Sequence, residues 1–594
     1  MSQEAAVSES GHVIPIDQFI GREFYPGYEP RLDARPYVAE PLALFGKHDE
    51  DRFWLRDTMH FGEGLTPASI ALLEDAQTWG TQLGAEMTGI PPTAGMVNRL
   101  AGVHVYISQV PITSEWLMAA RERRFGPLLA EKMTDFAAYW QGFVDELKAG
   151  YQHFDELNPA TMTRDEVWHA LQDAYAFHRR GWAIHFEVMY LLAANYLGLY
   201  GLAIEVGLDA TEVPRWLAGE RTSFLATDER MWALAMRARE LGVDQALTAG
   251  PEQVDPEEVR ARITTLPGGG EWWKEFVDFL TTWGQRTEET CTIDRPSWAE
   301  HPVTPLATIR EYLATDDTYD FAAAEREVLG KRDELVAAAR EKIPDEADRE
   351  RFDTALEANR AANFVWWNEE HNFLIDRRIH LPVRRLSLAL AEHLVADGEL
   401  AAPEDVFYLF KPELYDAMAG RGDWARLAAL VPARRDYYEQ WRTRGDDLPP
   451  MVGTVPERVE DPLMTEIFGL TPEYLATIRH GLTTAELRGM PASGGVAVGP
   501  ARVVRSAREI DQIRSGEILV CGGTTTEWTP AFGIVAAAVT DTGGSLAHTA
   551  IISREYGIPC VVGTAVATST IRTGDRVRVD GEQGVVQVLT PGDS

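Results

Sequence analysis

Apolar residues recur at three- and four-residue spacing over long stretches of this chain: 114–151, 164–207, 228–241, 271–287, 321–342, 345–377 and 382–397. That is the period of an amphipathic helix, so a largely helical body is expected. Pro159 and Thr163 ahead of the second stretch, and Gly268, Gly269 and Gly270 ahead of the fourth, read as helix starts. Only 102–110 (GVHVYISQV) reads as strand in this part. Near residue 488 the period drops to two. Short apolar runs at 495–504, 517–520, 533–540, 560–562, 576–580 and 585–589 are separated by Gly, Pro and Thr, with one clear helix at 550–556. The chain is therefore expected to be multidomain. A large, mostly α-helical domain spans 1–444, a linker or hinge 445–487 (with RGDDLPPMVGTVPERVEDP at 444–462), and a C-terminal β/α domain 488–594.

The stretch 188–204 is apolar except for Asn195, at the short limit of a membrane span. Its helical flanks carry His185, Glu187 and Glu205, so it is expected to be a buried core helix. The charge sharpens the picture. The 594 residues carry a formal net charge of −36, which disfavours nucleic acid and anionic membranes as partners. Three cysteines exclude a disulfide framework, and residues 1–11 contain no targeting signal. A cytoplasmic protein is expected. The tail from 488 holds nine arginines, no lysine and ten acidic residues, so nearly all of the negative charge lies ahead of it.

Chemistry concentrates in 540–563, TDTGGSLAHTAIISREYGIPCVVG. A buried strand runs into Gly543 and Gly544, and His548 follows at the start of a short helix. Glycines let a backbone approach an anion, and helix N-terminal N–H groups attract one. A neutral imidazole there can attack a phosphoryl group; the plainer reading is a cap or an incidental surface histidine. The pattern GG-x3-H-x-A-x3-RE-x-GIP-x-V-x-G, with GMPASGGVAVGPARVV at 489–504 and ILVCGGTTTEWTPAF at 518–532, resembles the phosphohistidine swivelling domain of the phosphoenolpyruvate-utilising enzymes. The resemblance implies that His548 is phosphorylated and that Gly543, Gly544 and Arg554 bind phosphate. Leu546 and Ala547 depart from the Thr and the hydroxyl or thiol residue common there, which puts regulatory phosphorylation in doubt.

The helical part resembles the same family less tightly. WGQRTEETCTIDRPSWAE (283–300), NEEHNFLIDRR (368–378), PEDVFYL (403–409) and RDTMHF (56–61) are similar to the acceptor-binding part of rifampin phosphotransferases. They also resemble the large subunits of phenylphosphate and 4-cresol-phosphorylating synthases. No nucleotide-grasp sequence stands in 1–487 and no barrel follows the tail, so a separate ATP-grasp subunit is expected to supply ATP and Mg²⁺, with a small phenol rather than pyruvate as acceptor. His185 and His371 are the expected proton acceptors. Trp182, Phe186, Trp366 and Trp367 are expected to form aromatic walls, with Glu370 beside them, and Arg286 and Arg377 to clamp the phosphoryl group. No metal is expected. The alternative for each is a core residue with satisfied neighbours. The function expected is phosphoryl transfer to a phenolic hydroxyl; an antibiotic-inactivating subunit and a non-catalytic phosphocarrier or regulatory binding protein are the alternatives.

Overall fold

The computed structural model describes residues 12–16, 24–28, 49–249, 254–287, 289–314, 321–459, 462–482, 486–525 and 528–592. The stretch 1–11, read above for targeting signals, lies outside the described residues. The helix Arg164–Glu205 is the axis of the first piece. Thr163 begins it with a capping box, its N–H donating to the Glu166 carboxylate (2.7 Å) while its hydroxyl accepts from the Glu166 N–H (3.3 Å). Helices Thr81–Thr88, Glu346–Ala361, Phe364–His371 and Leu381–Ala396 pack around it. Leu191, Leu192, Ala193 and Tyr196 are completely buried. The helix is long and apolar enough to cross a membrane, and 44% of its most apolar window lies inside the protein.

Two expected helices are broken where a side chain can cap a new start. The 114–151 stretch divides into Glu115–Thr134 and Phe136–Glu156, with Asp135 accepting from the Ala138 N–H (3.1 Å). The 345–377 stretch divides at Asn363, whose side chain accepts from the Val365 N–H (3.0 Å), and then widens into a π-turn, Asn372–Asp376. A second π-turn, Glu74–Gly80, also packs against the axis helix.

A five-stranded sheet closes one end, in the order β1 (His12–Ile14), β5 (Met451–Val455), β2 (Phe53–Arg56), β4 (His104–Pro111), β3 (Thr93–Ala101). All its pairings are antiparallel. β5 falls inside the stretch expected to be a linker. Helices Pro462–Phe468 and Pro472–His480 occupy most of the remainder.

The tail forms an eight-stranded sheet, β6 (Leu487–Arg488), β13 (Val585–Thr590), β12 (Arg576–Asp580), β8 (Val496–Val503), β9 (Ile518–Cys521), β10 (Ala537–Thr540), β11 (Cys560–Val562), β7 (Met490–Ser493). Strands β8, β9, β10 and β11 run parallel. Helix His548–Tyr556 makes the crossover from β10 to β11, which puts His548 beyond the carboxyl end of β10, where open α/β sheets bind ligands. The tail is docked on the helical piece: Trp272, Phe276 and Tyr312 share one apolar cluster with Val504, Phe532 and Ile552.

Candidate active site

His548 is 8% exposed at the start of its helix. Its Nδ1–H donates to Glu369 Oε2, a carboxylate oxygen, at 2.7 Å. In the neutral ring the lone pair is then on Nε2, which has no hydrogen-bond partner. The contact crosses the domain interface, and Glu369 is completely buried on the helix Phe364–His371. Next to it, the Asn368 amide donates to the Leu546 carbonyl (3.2 Å). This histidine is presented to the helical domain with its Nε2 bare.

The glycine turn is occupied differently from the expectation. The N–H groups of Gly543, Gly544 and Leu546 donate to the carbonyls of Phe468 (3.1 Å), Ile467 (2.9 Å) and Glu466 (2.7 Å). Gly543 has φ +106°, and a Cβ on Gly544 would stand 2.2 Å from the Thr465 carbonyl oxygen. The glycines therefore admit the helix Pro462–Phe468, and in this arrangement their amides do not face a phosphate. Arg554 is drawn inward and donates to the carbonyls of Ala492 (3.1 Å) and Ser545 (2.5 Å). Burial lowers its pKa to about 10.

On the helical side, His185, His371 and Asp376 meet. His185 Nδ1 lies 3.1 Å from Asp376 Oδ1, and His371 Nε2 lies 3.7 Å from the same oxygen. The π-turn explains the meeting. On an α-helix two residues five apart point about 140° away from each other, whereas the wider i→i+5 turn brings them to one face. His371 is stacked on Trp367 (4.2 Å), and its Nδ1–H donates to the Trp367 carbonyl (2.8 Å). Burial, with His185 beside it, lowers its pKa to about 3. For Asp376 burial acts to raise the pKa, but His185 and His371 prevail and hold it low. Trp182 and Phe186 stack at 5.9 Å against His185, 4.9 and 4.4 Å from its ring.

The other expected residues lie elsewhere. Glu370 turns away from Glu369 and accepts from the Ser223 N–H (2.8 Å) and hydroxyl (2.7 Å), since adjacent helix positions diverge by about 100°. Trp366 is partly exposed, and its indole donates to the Arg221 carbonyl (3.1 Å). Arg286 is buried over Trp298 (3.9 Å) and Phe224 (5.0 Å), a cation–π setting. Arg377 is buried beside Asp376, where its charge helps hold that carboxyl low. The neighbouring His178 accepts from the Trp182 indole (3.1 Å), and burial lowers its pKa to about 3.

Three residues of the site escaped the sequence reading of roles: Glu369, Asp57 and His60. His60 Nδ1–H donates to Asp57 at 2.8 Å, and Gln77, from the second π-turn, donates to the same carboxylate (3.0 Å). Desolvation works to lower the His60 pKa, but Asp57 outweighs it and the value is raised; Asp376 adds to the rise and Arg377 opposes it. The ring lines a cavity of about 340 Å³ shared with Gly522, Gly523 and Trp528 of the tail. The spacing Asp57-x-x-His60 was the available signal, within RDTMHF.

Comparison with known proteins agrees with this layout. Residues 513–584 match the mobile domain of the PEP-utilising enzymes, and residues 187–369 match the fourth domain of rifampicin phosphotransferase. A chondramide synthase of Chondromyces crocatus is 29% identical over 94% of this chain and 14% of its own length. An uncharacterised phosphotransferase, YvkC, of Bacillus subtilis is 27% identical over 94% of this chain and 65% of its own. A rifampicin phosphotransferase of Streptomyces sviceus is 31% identical over 57% of this chain and 37% of its own. The chain thus spans less than two thirds of the length of each of these relatives. The chain carries a tail similar to the mobile domain of the PEP-utilising enzymes and a helical segment similar to the fourth domain of rifampicin phosphotransferase, and the two meet at the His548–Glu369 contact.

Proposed function

We propose that this chain is a phosphotransferase that carries a phosphoryl group on His548 Nε2 to the hydroxyl of a small phenol. The observation that carries the reading is the bare Nε2 of His548, held by Glu369 on the same helix as His371 and Trp367. The acceptor is taken to enter the cavity lined by His60 and Trp528, since Trp182, Phe186 and Trp367 are buried against His185 and His371. A phenol ionises near pH 10, so its attack needs a base. The His371 pKa of about 3 makes it a poor base, and His60, raised by Asp57 and facing the cavity, is the better one. The phenol proton passes to His60 Nε2, the oxygen attacks phosphorus, and the P–N bond breaks with its electron pair returning to His548. A separate ATP-grasp subunit, with ATP and Mg²⁺, is proposed to load His548.

Incubation with ATP and that partner should give an acid-labile phosphoryl adduct at His548, discharged by phenols as aryl phosphates. An adduct that persists in His548→Ala overturns the assignment. A second reading, transfer to an antibiotic hydroxyl, is favoured by the rifampicin phosphotransferase relatives. It takes over where a rifamycin discharges the phosphohistidine and no phenol does.

A further inference from the structure

We propose that His185, His371 and Asp376 form a binding site for a divalent transition-metal ion of the zinc class, with a fourth position open to an oxygen ligand. The three donor atoms lie within 4.8 Å of one another, and all three residues are buried. Tetrahedral zinc, with bonds of about 2.0–2.1 Å, sets its ligand atoms about 3.3 Å apart. The separations from Asp376 Oδ1 are 3.1 Å to His185 and 3.7 Å to His371, so small side-chain adjustments suffice.

The hydrogen bonding of His371 points the same way. Its Nδ1–H is committed to the Trp367 carbonyl and its ring is stacked on that indole, the outer-shell arrangement that fixes a metal-binding histidine. In the neutral ring this leaves a lone pair on Nε2 facing a carboxylate oxygen, with no proton from either group between them. A cation relieves that opposition. His185 now donates its Nδ1 proton to Asp376, and coordination through Nδ1 requires the other neutral tautomer, with that proton on Nε2. The Asp376 carboxylate supplies negative charge at the cluster, with the Arg377 guanidinium beside it. Two imidazole nitrogens with one carboxylate select zinc-like ions over magnesium or calcium.

What the ion does there rests on the proposed function. In the open position it would bind the acceptor hydroxyl and favour the phenolate, as bound metals do for water. Binding itself is testable without acceptor, nucleotide or partner, so its failure leaves phosphoryl transfer standing, and a failure of transfer leaves the metal site standing.

The test is calorimetric titration of the full-length, chelator-stripped protein with Zn²⁺, alongside elemental analysis. One equivalent should bind, with affinity reduced about 100-fold or more in His371→Ala and Asp376→Asn and unchanged in His393→Gln, whose ring bonds the distant Met162 carbonyl. Should a variant fail to fold, Co²⁺ added to the wild type gives the second measurement. Intense four-coordinate visible bands support the site. Absence of stoichiometric binding, equal binding in folded variants, or only a six-coordinate cobalt spectrum overturns it.

Discussion

The carboxylate of Glu369, 2.7 Å from Nδ1, holds the ring proton of His548 on that nitrogen and so leaves Nε2 as the nitrogen proposed to react. A Gln there can rotate its amide and donate to Nδ1, moving the ring proton to Nε2 and masking the nucleophile. Glu369→Gln should therefore slow phosphorylation of His548 by about 10²–10⁴-fold, read in single-turnover labelling with the loading partner. His60 supplies a separate pH signature. Nε2 accepts a proton only from the neutral ring, so transfer to the phenol should rise as pH climbs through the raised His60 value. Asp57→Asn removes the charge that raises it. The rising limb should shift to lower pH while the plateau falls about 10²-fold or more, in pH profiles of phosphohistidine discharge.

At the scale of elements, periodic helices were legible where one apolar face is buried, as in Phe136–Glu156, which buries Phe136, Trp140, Val144, Leu147, Tyr151 and Phe154. The central tail strands were legible as short apolar runs between Gly, Pro and Thr, because β9, β10 and β11 are buried along their whole length. The two π-turns were not: a three-to-four residue period cannot signal a local widening, and it is this widening that joins His371 to Asp376. His548 was readable from its motif, whereas Glu369 and Glu370 could be told apart only by the helix's rotation against its neighbours. Glycine in the turn was readable too, though its reason was not. The neighbour that excludes a side chain at Gly544 is the backbone of Pro462–Phe468. Gly544→Ala should strip that helix from the turn and cost about 1–3 kcal/mol, seen as a lower midpoint in urea and faster hydrogen exchange at residues 543–546.

For the whole molecule, docking of the tail places acidic groups in apolar surroundings. Glu555 accepts from the Gly219 N–H across the interface, and burial raises its pKa to about 7. Asp228, bonded by the hydroxyls of Tyr312 and Tyr556, is raised to about 6, again chiefly by burial. A carboxyl whose pKa is raised on docking binds its proton more tightly in the docked form. Its contribution is complete below its ordinary pKa near 4 and is lost as pH rises through the raised value. Docking should thus loosen between about pH 5 and 8, with Glu555 contributing on the order of 3 kcal/mol. Small-angle scattering should show a larger radius of gyration at the alkaline end, and Glu555→Gln should flatten that dependence. Movement of the tail is bounded by the three main-chain bonds that tie residues 466–468 to the glycine turn. A free coil of about 43 residues would roam about 36 Å. With the helix Pro462–Phe468 travelling as part of the tail, at most six residues separate it from β5, a reach of about 20 Å when fully drawn out. On the proposed phosphoryl-carrying role, His548 would swing on an arc pivoted at the edge of the five-stranded sheet, and the proposed loading subunit would have to present its donor on that arc, with the sheet's rim as its berth.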